Sequence, residues 1–164
     1  MRRNLPAWNK EAAMETQHTA QSKAQASREF SKKLLKLTGA GGAAFWVTDF
    51  VISVSPIAAK YKAAFSISSL PLALVQALVG GLVIGCCVSF FLLRFFDKLP
   101  TQNPILKALI LSFAAMFMIE VLSTLGNPSN ASVYLLIDTG MNVPRFLALG
   151  IVVGHLYKKL NGSA

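Results

Sequence analysis

Four ionisable side chains, Asp49, Glu120, Asp138 and Arg145, fall within stretches that otherwise read as apolar helices. A charge at the centre of a bilayer costs roughly 2.5–3.5 kcal/mol even on lenient insertion scales, so charges in such places are paired or serve a function. Asp138, Asn142 and Arg145 recur at i, i+4 and i+7, which sets all three on one helical stripe. Pro144 lies among them; its ring clashes with the carbonyl of Gly140 and removes one helix hydrogen bond, which predicts a kink. Membranes tolerate such a break where side chains, neighbouring helices or water satisfy the freed backbone group, and transporters place binding sites at breaks of this kind. Kinks without a ligand are also common. Glu120 shares a face with Ala108, Ser112, Met116 and Thr124, the small and polar side of its helix, so it faces protein or water and not lipid.

Helix rise turns these positions into depths. Counted from the outer helix ends, Glu120 lies roughly 8 Å deep and Asp138 roughly 9 Å, with Asp49 at about 15 Å and Arg145 at about 20 Å. A helical side chain leans toward its own N-terminus, which for Arg145 is the direction of Asp49. An Asp49 to Arg145 salt bridge near mid-membrane is therefore predicted, with Glu120 and Asp138 as a carboxylate pair above it. Three carboxyls then face one guanidinium. In a low-dielectric setting the surplus is neutralised by a proton, a cation or a partner's basic residue. Such a set suits a proton- or cation-coupled site, and equally a hydrogen-bonded structural network.

Other chemistry finds little support. There is no Walker-type loop, dinucleotide fingerprint, GxSxG elbow or zinc-ligand spacing, and no nucleophile stands beside a base. The expectation is a protein that is not an enzyme, with no cofactor and no metal. His155 has no second ligand within one helical turn and reads as interfacial. Cys86 and Cys87 are adjacent, diverge by about 100° on a helix and cannot easily bridge, which leaves small apolar packing as their expected role. Two glycosylation sequons, Asn130-Ala131-Ser132 and Asn161-Gly162-Ser163, are discounted for their closeness to the membrane and their predicted side.

The elements that must carry these residues follow from composition. With 54% hydrophobic residues and a mean hydropathy of +0.52 in 164 residues, the chain falls outside the soluble globular class. Four apolar stretches, at about 38–59, 69–95, 104–125 and 132–157, reach the ~20 residues needed to cross a core of about 30 Å. The expected fold is an all-α integral membrane protein, a four-helix transmembrane bundle over residues 38–159. Pro71 and Pro104 sit near helix starts, with Asn103 as a candidate N-cap. The tight connection Gly126-Asn127-Pro128-Ser129-Asn130 makes the last two spans a hairpin.

Basic residues are divided by side. Those before the first span, those around the second loop (Arg94, Lys98, Lys107) and those at the end (Lys158, Lys159) share one side, whereas the other carries only Lys60 and Lys62. The positive-inside rule then puts both termini in the cytoplasm or its equivalent, in a bacterial inner or plasma membrane or an organelle membrane. The net charge of +9 thus reports topology and not nucleic-acid binding. No signal peptide is read at the start, and a transit peptide suggested by Arg2 and Arg3 is opposed by Glu11, Glu15 and Glu29. The polar, basic segment 1–36 is expected to be disordered or loosely helical over 1–26. Residues 27–37 set Phe30, Leu34, Leu35 and Leu37 against Arg28, Lys32, Lys33 and Lys36, an amphipathic stretch for anionic headgroups that would turn into the first span. Residues 160–164 form a short tail.

Ala73, Ala77, Gly81, Gly85 and Ser89 line one face of the second span, and Gly150 with Gly154 repeats the device in the fourth, as Gly39 with Ala43 does in the first. Small residues permit close backbone approach in lipid, between spans of one chain or between copies in a homo-oligomer. Two functions fit this sequence. One is a subunit or an assembly or accessory factor of a larger membrane complex, with protein partners; the other is a small proton- or cation-coupled transporter or channel that works as an oligomer.

Overall fold

Pro104 opens a helix that the residue before it prepares. The side chain of Asn103 accepts the N–H of Ile105 at 3.0 Å, and its carbonyl accepts the N–H of Lys107. The Ile105 bond satisfies one of the donors left free at a helix start, the Lys107 bond is the first of the helix itself, and proline at the first position has no donor to satisfy. A computed structural model describes residues 7–56, 70–126 and 131–162. They form four helices: α1 (Ala7–Ser53), α2 (Leu70–Arg94), α3 (Pro104–Gly126) and α4 (Ala131–Asn161), with a short 3-10 turn at Phe96–Lys98. No strand occurs among the described residues. Arg2, Arg3, the loop bearing Lys60 and Lys62, the connection 127–130 with its sequon Asn130, and residues 163–164 lie outside them.

The start of the chain differs from expectation. α1 runs without a break from Ala7 to Ser53, so the polar stretch is helical and no turn separates it from the apolar one. Between Pro6 and Gly39 the sequence contains neither proline nor glycine and is rich in Ala, Gln, Lys and Glu, which are good helix formers. Three residues before Pro56 the helix ends, short of the expected position 59, and Ser55 closes it by donating its hydroxyl to the carbonyl of Ile52 at 2.6 Å. The chain divides after Lys33 into two units. In the first, the described side chains are exposed apart from the half-buried Phe30 and Lys33, and Lys32 pairs with Glu29 at 3.4 Å one turn back.

The second unit is the helical bundle. Its core takes Leu37 and Phe45 from α1, Val88 and Leu92 from α2, Ala108 from α3, and Phe146, Leu149 and Val153 from α4. Phe45 meets Phe146 edge to face at 5.4 Å. α3 and α4 share the most extensive packing, and α2 packs on α3. Glycine sets the two tightest approaches. A Cβ on Gly85 would stand 3.2 Å from the backbone of Gly42 and of Thr38, so α1 and α2 touch backbone to backbone. A Cβ on Gly154 would stand 2.5 Å from Ile105 Cα, and one on Gly150 3.0 Å from Leu109 Cα, which brings α3 and α4 equally close. Gly81 lies against Phe45, Ser89 is buried, and Ala73 and Ala77 at the other end of the stripe are half-buried. Near that end the indole of Trp46 donates to the carbonyl of Leu74 at 3.1 Å and ties α1 to the first turns of α2.

α2 and α3 contain the two described helical stretches that are long and apolar enough to cross a membrane, Pro71–Arg94 and Pro104–Ser123, each with a mean hydropathy of 2.2. Four such stretches were expected. The apolar part of α1, Leu37–Ser53, is short and carries Gly39, Gly41, Gly42 and Asp49, and α4 carries Asp138, Asn142, Pro144 and Arg145 through its middle.

Candidate functional site

The functional candidates lie where three helices of the bundle meet. α1 contributes Asp49, one turn before its end; α3 contributes Glu120; α4 contributes Asn142 and Arg145. On α3 the face that carries Glu120 turns inward, with Ala108 and Ser112 buried and Met116 half-buried behind it. Asp49, Glu120 and Asn142 are 6%, 5% and 8% exposed. Carboxyls and amides this deep need partners, because an unsatisfied buried polar group costs about 1–3 kcal/mol.

Their partners form a continuous chain. Arg145 Nη2 lies 2.5 Å from Asp49 Oδ1, while Arg145 Nη1 donates to Asn142 Oδ1 at 2.7 Å. Asn142 Nδ2 in turn donates to Glu120 Oε1 at 2.8 Å. Since a guanidinium only donates, the Asn142 oxygen must face Arg145, and its NH2 group is left to face Glu120. The amide thus links a cation to a carboxyl that the cation does not touch. The guanidinium Nε is buried and has no hydrogen-bond partner.

Asp49 and Arg145 meet as their depths and the lean of Arg145 predict. The second predicted pair is different: Glu120 bonds to Asn142, one helical turn beyond Asp138. The reason is the direction of the side chains. α3 and α4 run antiparallel, Glu120 leans toward the Pro104 end of α3, and Asp138 leans toward the Ala131 end of α4, so two residues level in backbone depth diverge at their tips. Asn142, a turn further along α4, leans back and meets Glu120. Asp138 is half-buried and lies within the field of Arg145. Pro144 is exposed on the side of α4 away from the buried Asn142, and the helix continues through it to Asn161. Its neighbour one turn back, Gly140, is also exposed, with nothing within 4 Å of where a Cβ would stand.

Two features escaped the sequence reading. Lys107, assigned there only to the topological charge balance, is 4% exposed. Its ammonium donates to the carbonyl of Phe96 and sits 3.5 Å from the centre of that ring, which stacks on Tyr157 at 4.7 Å. The 3-10 turn is thereby fastened to α3 and α4. A lysine three residues after a helix-opening proline, with aromatic residues on both flanking elements, was the available signal. Cys86 and Cys87, expected to pack, are both exposed. The buried face of α2 belongs to Gly81, Gly85 and Ser89, and both thiols fall off that line. His155 is exposed, and among the described residues no three His, Cys, Asp or Glu side chains converge as metal ligands.

No protein-family model matches the chain, and no curated protein or solved structure is significantly similar to it.

Proposed function

We propose that this protein is a multi-pass membrane protein that acts without catalysis, as a subunit or assembly factor of a larger membrane complex. Support for the bilayer comes first from α2 and α3, which have the length and composition of spans. It comes also from surface. Val75, Val79 and Val83 on α2 and Phe117, Met118, Leu122 and Leu125 on α3 are 56–75% exposed, a density of outward apolar groups that water does not favour. α1 and α4 complete the bundle, with Asp49 and Asn142 buried inside it and Arg145 paired to both. Four spans put both termini on the side that holds most of the basic residues.

The observation that carries the subunit reading is the mutual satisfaction of Glu120, Asn142, Arg145 and Asp49. Each is bonded to at least one other member, so the set acts as a clamp that joins α1, α3 and α4 inside the membrane. A rigid bundle with a broad apolar exterior is suited to hold other membrane chains. Extraction from native membranes in mild detergent, followed by identification of the chains that co-purify in fixed proportion, tests this. Stoichiometric partners are expected; a preparation of this chain alone would overturn the reading.

One observation favours a second reading, a proton- or cation-coupled transporter. Asp138 stays outside the chain of hydrogen bonds while near Arg145, so the carboxyl count exceeds that of the guanidinium. If this carboxyl serves transport, purified protein in liposomes carries a cation or proton flux that Asp138→Asn abolishes.

A further inference from the structure

The outer face of α2 is apolar with one exception. Gly81, Gly85 and Ser89 turn into the bundle, and the opposite side shows Val75, Val79, Val83 and Phe90, each at least 41% exposed. Gln76 lies among them, exposed, and its amide hydrogen-bonds to no described residue. It stands five residues inside the apolar stretch Pro71–Arg94. Within hydrocarbon no water is at hand to satisfy two N–H donors and a carbonyl, so an amide left there alone is costly.

Gln76 heads a line. Gln76, Gly80, Val83 and Cys87 follow at steps of four, three and four residues, and at 100° per residue they stay within about 40° of one direction. Steps of this kind are those of a helix seam. At Gly80 an added Cβ would meet nothing within 4 Å, so a second backbone has open access one turn below the amide. A primary amide is its own complement: across a two-fold axis each donates an N–H to the carbonyl of the other. Copies of one chain insert in one orientation, and a two-fold axis along the membrane normal therefore sets Gln76 opposite Gln76 at equal depth. A foreign helix would have to bring its own polar group to that depth.

We infer that α2 is a self-association helix, along which two parallel copies of this chain pair through Gln76, Gly80, Val83 and Cys87, with the two Gln76 amides hydrogen-bonded to each other. The inference rests on the membrane placement proposed above, and not on the presence of other subunits. It also makes a distinction between neighbours. Cys87 lies on the seam and meets its counterpart, whereas Cys86 lies about 80° from the direction of Gln76 and faces away from the axis.

Oxidation of the full chain in its membranes with copper(II)-phenanthroline, in which oxygen accepts the electrons as two thiols become a disulfide, reads this directly on non-reducing gels. Wild type and Cys86→Ala are expected to form the dimer, and Cys87→Ala to lose it. Gln76→Leu, at an exposed site that leaves the core intact, should lower the dimer fraction about fivefold, while Gln76→Asn retains part of it. A dimer formed through Cys86, a Gln76→Leu yield equal to wild type, or no dimer would each overturn the seam. Alkaline carbonate extraction of the same membranes separates the two levels of failure. Protein that stays in the pellet without pairing through Cys87 overturns the seam alone; protein released to the supernatant overturns the membrane placement and the seam with it.

Discussion

Arg145 is the residue on which the buried chain depends, because its guanidinium serves both Asp49 and Asn142. Removing one member of a buried pair leaves the other charged and alone, which costs about 3 kcal/mol or more. Asp49→Asn and Arg145→Gln should therefore each destabilise the bundle by about that amount in a thermal or SDS unfolding assay, and the double variant should cost less than their sum. Losses that simply add would show that the two do not interact. Asn142→Leu separates Arg145 from Glu120 and removes the bond that each makes to the buried amide, with an expected loss of about 1–3 kcal/mol. The half-buried Asp138 lies outside this chain of bonds, and its change to Asn should cost less than any of these. The pairing of Asp49 with Arg145 was legible in the sequence because both depth and lean favour it. The partner of Glu120 was not, since backbone depth alone placed it level with Asp138 and the opposed leans of antiparallel helices move it one turn.

Helices meet here at glycines, and the glycines are not equivalent. Gly154 faces the backbone of Ile105, which cannot rotate away, so Gly154→Ala should force α3 and α4 apart and cost about 1–3 kcal/mol. Gly140, on the same helix, has open space around it, and Gly140→Ala should be neutral or add up to about 1 kcal/mol through helix propensity. Opposite signs from one substitution type on one helix, measured by unfolding, check that the close approach and not the composition of α4 sets stability. Spacing in the sequence marked Gly81, Gly85, Gly150 and Gly154 as candidates for packing, but could not say which helix each would meet. The unbroken α1 was obscured for another reason: hydropathy changes sharply near residue 37, and Gly39, Gly41 and Gly42 follow at once, so a reading from local composition places a boundary where the backbone has none.

For the molecule as a whole, the outward apolar residues and the basic residues that the proposed topology gathers on one side make a joint prediction. Tags placed at the two ends of the chain should be cut by protease from the same side of sealed vesicles; cleavage from opposite sides would exclude an even number of spans. What the sequence determined by itself is the helical class, the apolar character of α2 and α3, and the list of polar residues that need partners among apolar ones, because these follow from local composition and periodicity. Beyond the Asp49–Arg145 pair, tertiary structure alone decided who meets whom. Glu120 finds Asn142, Lys107 closes on Phe96, and Cys86, Cys87 and Gln76 are left outside, because partner choice depends on side-chain lean, helix direction and which face the glycines claim first.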